Sequence, residues 1–443
     1  QRLSQIADVS STNIKFLSNT DFLMLLVEIL PEEWKGQDEV KWLPGIVEAH
    51  PKEVWMGTFW DYLRDSFTEL SLFDDWPIIP TIGGFMCRAK KSLGIVKTDG
   101  NLPQTLEKIL IEIGCRVMRS DLQINHECLP KCVHLPNLQG ILDAISSLSV
   151  YSGHTYDKMF SNTSNKQRTQ LREFFLDMKW YRESHDLRED KLQVLKGLPI
   201  FELFNPPGCS DKTFVDLVSR KWFIPPSNVD KSLIGEYFLY TQSNEENEIL
   251  ARILNVEKMK RATFFRIRVI NRIGELKSDI RNKSMTTILK ELPLLCLQDS
   301  SLKDVLRDLA FVPTSNGDLQ FPKNLYDPRI EEFKSLLDEE ESFPSEEFRS
   351  AEILDALQTL GLQTVVSPET VLRSARQVEM LQEQIPDEAN VRGFLLLTYL
   401  ESNAAKLFPT TIGDGINMFL KVSDFFQNQR SDTNISKKFW NEL

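Results

Sequence analysis

Apolar residues recur at helical spacing through most of the chain. In the range 55–67, side chains three or four residues apart predict a helix with one buried face: Phe59, Tyr62, Leu63 and Phe67. The same spacing recurs over 138–148. Near the other end, Ser367 is a typical N-cap, with Pro368 at the first helical position and Glu369 near the positive end of the helix dipole. The chain is therefore predicted to be mostly helical.

Short extended segments with turn residues in their middle interrupt these helices. Over 76–90 the turn is Gly83-Gly84, and over 311–328 it is Asn316-Gly317. Both pairs tolerate positive φ between flanking apolar residues, so each segment is predicted to be a β-hairpin. A Trp-Pro or Leu-Pro pair followed by two apolar residues recurs at Trp76, Leu198 and Leu292. This recurrence predicts an extended segment at each position, within divergent copies of one structural unit.

The predicted fold is α+β and predominantly helical, with short β-hairpins between helical subdomains and divergent internal repeats. With about 150 residues per domain, 443 residues correspond to three domains. We expect a helical subdomain over 1–160 with a hairpin near 76–90, and a second over 161–330 that ends in the hairpin 311–328. The range 331–443 is predicted to be an acidic loop, over 338–348, followed by a helical C-terminal part.

Charge and cysteine content narrow the functional classes. The net charge of -12 argues against a surface built mainly for nucleic acid or anionic lipid. Six irregularly spaced cysteines do not suit a disulfide scaffold, so a reducing, cytoplasmic compartment is predicted. The apolar run from Phe22 stops at Pro31, short of the roughly 20 residues that span a bilayer. Because the chain begins at Gln1 without a signal peptide, we expect it to be part of a longer protein.

Four potential metal ligands lie close together in the sequence: His126, Cys128, Cys132 and His134. Two cysteine thiolates and two histidine imidazoles are a common combination of ligands for tetrahedral zinc. Zinc sites usually join two separated ligand pairs, however, and this short run leaves little chain to wrap around one ion. The alternatives are a zinc-dependent module over 126–134 and ordinary loop residues. We favour loop residues, and we expect no metal or other cofactor.

The range 258–283 carries nine Lys or Arg residues interleaved with aromatic and aliphatic ones. This pattern is typical of proteins that bind single-stranded nucleic acid, and equally of an amphipathic helix with its charges in water. Because the whole chain is acidic, we favour the helix and do not expect nucleic acid as a partner. Arg261, Arg268 and Arg272 repeat at helical spacing, so they are predicted to form a docking surface for an acidic protein.

Two longer runs carry a family resemblance: FVPTSNGDLQFPKNLYDPR over 311–329 and LDALQTLGLQTVVSPETVLRSAR over 354–376. With GLPIFELF over 197–204 and FDDWPIIPT over 73–81, they resemble the repeat region of sacsin-like giant proteins. That family is implicated in chaperone-type protein quality control. The resemblance implies a client-binding or scaffolding segment. Its implied partners are unfolded protein clients, the seventy-kilodalton heat-shock chaperone system and proteasome components.

The resemblance also implies an ATPase-like domain somewhere in the full-length protein. Such a domain needs a Glu/Asn helix and a downstream Asp-x-Gly-x-Gly turn. The nearest match, over 413–417, lacks the second glycine, and the chain has no P-loop pattern. We therefore expect any ATPase activity to lie in another part of the protein. This chain is predicted not to be an enzyme, and it has no predicted catalytic residues.

Overall fold

Helices dominate the computed structural model of the chain, which describes residues 19–67, 69–98, 102–122, 124–183, 188–205 and 211–407. Strands are short and form small sheets, so the predicted predominantly helical α+β fold is confirmed. The chain divides into two compact units. One contains the residues up to Pro225 together with Ile234–Lys258, and the other contains Pro226–Leu233 and the residues from Met259 onward. The predicted divisions near 160 and 330 stay predictions.

The first unit is built from ten α-helices within its described residues. They are α1 Asn19–Ile29, α2 Glu53–Ser66, α3 Gln104–Glu112, α4 Leu129–Cys132, α5 Leu138–Ser152, α6 Tyr156–Met159, α7 Asn165–Phe175, α8 Lys179–Glu183, α9 Glu189–Gly197 and α10 Asn244–Glu248. A π-helical turn, Ile249–Ile253, continues α10. Local sequence accounts for several starts: Asn137 caps α5, and Ser164 forms a capping box with Gln167 at α7.

Nine short strands accompany these helices in the part of the unit that the structure describes. They are β1 Glu39–Lys41, β2 Pro77–Thr81, β3 Phe85–Arg88, β4 Ile95–Val96, β5 Arg116–Val117, β6 Phe201–Glu202, β7 Phe214–Val215, β8 Phe223–Ile224 and β9 Glu257–Lys258. β2 and β3 form the hairpin predicted over 76–90, and Gly83 and Gly84 have φ of 100° and 76° in its turn. The sheet order is β1-β3-β2, which leaves the proline-containing β2 at an edge, where missing ladder donors are tolerated.

Two apolar clusters form the core of the first unit. One lies within residues 26–133 and includes the buried side chains of Trp34, Trp42 and Trp60. The other draws on residues from Val96 to Val256, with α5 fully buried along Ile141, Leu142 and Ile145. The helical spacing seen in the sequence over 138–148 is therefore the spacing of core positions.

The second unit contains nine α-helices and one hairpin within its described residues. The helices are α11 Arg261–Arg268, α12 Ser278–Lys290, α13 Leu292–Gln298, α14 Leu302–Arg307, α15 Glu331–Leu336, α16 Glu339–Ser342, α17 Ala351–Leu360, α18 Pro368–Gln384 and α19 Pro386–Leu407. The strands β10 Val312–Pro313 and β11 Leu319–Gln320 pair antiparallel, which confirms the hairpin predicted over 311–328. Gly317 has φ of 88° in its turn, the conformation that favours glycine.

One arrangement of elements occurs three times in the described residues, although its third copy begins at Val312 and not at Leu292, where the sequence placed it. A hairpin (β2/β3, β6/β7 or β10/β11) is followed by an extended segment, a helix, a residue with positive φ, and a second extended segment parallel to the first. The parallel pairs are β4 with β5, β8 with β9, and Tyr326 with Gln363. The positive-φ residues are Gly114 at 99°, Asn255 at 54° and Gly361 at 112°. Parallel pairing requires a crossover, which α3 supplies in the first copy, α10 in the second and α15, α16 and α17 together in the third.

Three details differ from the sequence-based expectations. The extended segment predicted after Leu292 is wrong, because Leu292–Gln298 is α13 with Pro293 in its first turn. The single basic helix predicted over 258–283 is wrong as well. It divides into α11, a short 3-10 turn at Ile270–Arg272, and α12. The acidic segment 338–348, predicted to be a loop, contains α16 and buries Phe343 and Phe348. Its many acidic residues led to the loop prediction, although two of its residues belong to the core.

Candidate interaction surface

The two histidines of the 126–134 segment are buried and bonded to backbone. His126 Nδ1 accepts a hydrogen bond from the Cys128 amide at 3.0 Å, so its Nε2–H donates to the Phe67 carbonyl, also at 3.0 Å. His134 Nε2 lies 3.0 Å from the Lys91 carbonyl. Burial holds the pKa of His134 below its usual value, which keeps the ring neutral. Both rings therefore tie this segment to neighbouring backbone.

Cys128 precedes α4 and Cys132 is its last residue, and the two cysteines do not join the histidines around a common point. Cys128 is buried, and burial raises the pKa of the Cys132 thiol, which disfavours the thiolate that a metal requires. In the described part of the chain, no group of three or more His, Cys, Asp or Glu side chains is arranged to hold a metal ion. The geometry of His126, Cys128, Cys132 and His134 fits a packed loop.

Arg261, the first residue of the predicted docking surface, is committed to contacts within the second unit. Its guanidinium forms a two-pronged pair with Glu291, with Nη2 2.9 Å from Oε1. It also donates to the Ser227 and Asn228 carbonyls and lies 5.0 Å from the centre of the Phe265 ring. Its side chain is 18% exposed. Arg261 therefore holds the segment 226–233 against α11.

The other two arginines, Arg268 and Arg272, differ in whether their side chains are free to contact a partner protein. Arg268 Nε donates to the Leu233 carbonyl at 2.7 Å, so it too secures the segment 226–233. Arg272 Nε lies 2.8 Å from Glu275, and both side chains are exposed. The predicted three-arginine surface thus mixes two residues with internal contacts and one exposed residue on a separate turn. Its role in binding an acidic partner stays a prediction.

Changing Arg261 to Glu is expected to lower the free energy of unfolding by about 1–2 kcal/mol, because it places a carboxylate against Glu291 and removes two carbonyl contacts. Denaturant unfolding of the two proteins measures the difference. Arg272→Glu is the matched control, and its exposed pair predicts almost no change. Equal losses in both variants would show that the Arg261 contacts do not stabilise the unit.

A cavity of about 180 Å³ lies in the second unit, where residues 228–233 meet α11 and α12. Its lining includes Phe265, Lys283 and Asp230, and it contains no histidine or cysteine. Asp230 Oδ1 already accepts from the amide and hydroxyl of Ser232. The lining hydroxyls, those of Ser284 and Thr287, donate to carbonyls of their own helix, so neither is held by a base as a catalytic nucleophile would be.

Exposed apolar side chains lie on several helices, including α1, α13 and α19. On α1, Met24 and Val27 are 64% and 48% exposed, while Leu26 is buried. On α19, Phe394 is 70% exposed and Val391 61%, while Leu396 is buried. Apolar faces left in water are typical of surfaces that bind other proteins. Sequence reasoning missed both faces, because apolar residues surround each helix and burial cannot be assigned without neighbours.

The part of the chain that resembled a nucleotide-binding turn, 413–417, lies outside the described residues. No described helix is long and apolar enough to cross a membrane.

Comparison with known proteins identifies one relationship. No family model matches the chain, and no solved structure matches it. Among curated proteins, human sacsin is 25% identical to it over 401 residues, which cover 84% of this chain and 8% of sacsin. The chain thus spans about 8% of the length of that relative. The similarity extends across both units and supports a sacsin-like relationship at the level of the family.

Proposed function

We propose that this chain is a non-enzymatic segment that binds client or partner proteins within a sacsin-like, chaperone-related protein. The observation that carries the proposal is the exposed apolar face of α19, centred on Phe394. Such a face lowers the free energy of a complex when another protein removes it from water. The similarity to sacsin supports the same role, because the family that the sequence resembles is implicated in chaperone-type protein quality control. Three repeated structural units also supply a large surface.

The two other functions considered from the sequence have less support. A zinc-dependent module would need His126 to release a backbone partner, because both of its ring nitrogens are already hydrogen-bonded to backbone. A nucleic-acid interface over 258–283 would need Arg261 and Arg268, which already bond carbonyl groups of the segment 226–233. Protein clients, chaperone-system components and proteasome components are therefore the proposed partners, and any ATPase activity is proposed to lie elsewhere in the full-length protein.

The proposal predicts that the purified chain slows the aggregation of a client. Reduced insulin is a suitable probe, because its freed B chain aggregates and scatters light. We expect an equimolar amount of the chain to delay this scattering, since its exposed apolar faces can cover those of the client. ATP should not change the delay, because the chain lacks the P-loop pattern.

Serum albumin at equal mass concentration is the control for nonspecific crowding. Identical scattering with albumin and with the chain would contradict client binding. A delay that appears only with Mg-ATP would contradict the non-enzymatic part of the proposal.

A further inference from the structure

α19 has two opposite faces. Its packed face contains Ala389, Leu396 and Tyr399, and it lies against α15 and α18. Its exposed residues include Asn390, Ser402 and Lys406, and six others lie together on one side: Asp387, Val391, Phe394, Leu395, Thr398 and Glu401. At 3.6 residues per turn they occupy an arc of about 120°, directly opposite the packed face. We call these six residues the α19 stripe.

The α19 stripe is apolar in the middle and acidic at both ends. Val391, Phe394 and Leu395 are 61%, 70% and 39% exposed. Asp387 precedes them by one turn, and Glu401 follows Phe394 by two turns. On α18, Glu379 and Glu383 are exposed as well, as is the cation Arg376. No ion pair is found for any of these four carboxylates among the described residues, whereas the nearby Arg392 is paired with Asp338 and Glu388.

We propose that the α19 stripe is the binding site for an amphipathic helix of a partner protein, one that carries Lys or Arg at both ends of its apolar face. This inference rests on the proposed protein-binding function and adds the chemistry of the partner. Apolar burial by Phe394 and its neighbours would supply affinity. The unpaired carboxylates would supply selectivity, because they attract cations and repel acidic helices.

The geometry also sets the spacing of the partner's charges. Asp387 and Glu401 are 14 positions apart. On a helix this corresponds to about 21 Å along the axis. Basic residues at the same separation can therefore meet both carboxylates at once, and either helix direction suits because both ends of the stripe are negative. A helix with one central charge cannot do so.

Two other occupants fit less well. A second copy of the chain, with its own α19 stripe placed antiparallel, would bring Asp387 of one copy near Glu401 of the other, and like charges repel. The residues 416–427 of this chain, INMFLKVSDFFQ, are apolar but carry a single basic residue, Lys421, beside Asp424. Neither occupant neutralises both ends of the stripe.

The test uses the full chain and a fluorescein-labelled helical peptide with an apolar stripe and two lysines 14 positions apart, the separation of Asp387 and Glu401. Fluorescence anisotropy measures its affinity. Phe394→Glu should weaken binding at least about tenfold, because it removes the most exposed apolar contact. Val150→Glu, at a residue 82% exposed on α5, is the matched control and should leave binding unchanged.

The charge arm uses the double variant Asp387→Lys, Glu401→Lys and a peptide with glutamates in place of its lysines. We expect the double variant to bind the lysine peptide less tightly and to prefer the glutamate peptide. Binding by the unaltered chain should weaken as salt increases, since screening acts on exposed charges. Equal affinity of the unaltered chain for both peptides would overturn the proposal.

Three further outcomes would also overturn it. The first is unchanged peptide binding by Phe394→Glu. The second is a chain dimer, seen by sedimentation, that Phe394→Glu dissociates, which would assign the stripe to a second copy. The third is peptide binding only after Phe419→Glu and Phe426→Glu, which would assign it to residues 416–427. If the chain delays insulin aggregation but does not bind the peptide, this inference fails and the proposed function stands. If the chain binds the peptide but does not delay insulin aggregation, the inference stands and the proposed client binding fails.

Discussion

Replacing Arg172 with Met is expected to lower the free energy of unfolding by about 3–5 kcal/mol, the cost of leaving a buried charge without its partner. Arg172 lies on α7 and is 1% exposed. Its Nη1 is 2.9 Å from Glu202 of β6, and its Nε is 3.1 Å from Glu246 of α10. One guanidinium thus joins three elements of the first unit. Methionine would fill the space of the aliphatic stem but would neutralise neither carboxylate.

The Arg172→Met substitution would leave the two carboxylates, Glu202 and Glu246, with different numbers of remaining partners. Glu202 keeps a second cation, since Lys212 Nζ lies 3.0 Å from its Oε1. For Glu246 no other ion pair is found in the described part of the chain, and only the Gln242 amide would remain as its partner. We therefore expect most of the loss to come from α10, which Glu246 attaches to the core.

Denaturant unfolding of the Arg172→Met protein measures the loss, and Arg252→Met is the matched control. Arg252 pairs with Glu248 on the surface and is 79% exposed, so its replacement should change the unfolding free energy by less than about 0.5 kcal/mol. A similar small effect for Arg172→Met would contradict the view that this buried network holds the first unit together.

The stability of the first unit should also depend on pH through Glu246. Burial raises the pKa of Glu246 above its ordinary value, and Arg172 opposes that shift. A raised pKa in the folded state favours the protonated form, so this group adds stability below its unfolded pKa and loses it as the pH rises through the folded pKa. The difference in unfolding free energy between the unaltered chain and Glu246→Gln should therefore move in favour of the unaltered chain as the pH falls from about 7 to about 4.

Local chemistry made part of the fold predictable. The turns at Gly83-Gly84 and Asn316-Gly317 and the start of α18 at Pro368 depend on residues adjacent in sequence, and the structure has them where the sequence placed them. The Arg172 network could not be found in this way. Its carboxylates lie 30 and 74 positions from Arg172, and nothing in the sequence distinguishes them from surface charges.

The proposed binding surface on α19 was not among the residues that the sequence predicted. The resemblance indicated a protein-binding segment, but the residues proposed from helical spacing were Arg261, Arg268 and Arg272. Spacing does not report that Arg261 faces Glu291 or that Arg268 faces the Leu233 carbonyl. Conversely, the α19 stripe carries apolar residues that periodicity alone would assign to a core. Exposure depends on which neighbouring helices exist, and that information lies in tertiary packing.

At Gly140, too, the sequence alone does not report the tertiary packing that decides the effect of a substitution. It lies in the first turn of α5, where its amide donates to the Asn137 side chain at 2.8 Å. Helix propensity predicts that alanine there would stabilise the helix by about 1 kcal/mol. A Cβ built on Gly140, however, would lie 2.2 Å from the Leu135 carbonyl oxygen and 2.7 Å from the Leu135 nitrogen. Propensity and packing therefore predict opposite signs.

We expect packing to dominate, with Gly140→Ala lowering the free energy of unfolding by about 3 kcal/mol. The obstructing atoms are backbone, and the adjacent residue cannot move away freely. The His134 amide donates to the Ile95 carbonyl at 2.7 Å, and its carbonyl accepts from Lys97 at 2.8 Å. Relief of the clash would have to break this pairing with β4 or displace the start of α5.

Gly57→Ala in α2 is the matched control, because its Cβ would meet no atom within 4 Å. That variant should gain about 0.5–1 kcal/mol. Denaturant unfolding measures the change in the free energy of unfolding for each variant. A change of the same sign in both would show that the segment before α5 moves to accommodate the added methyl group.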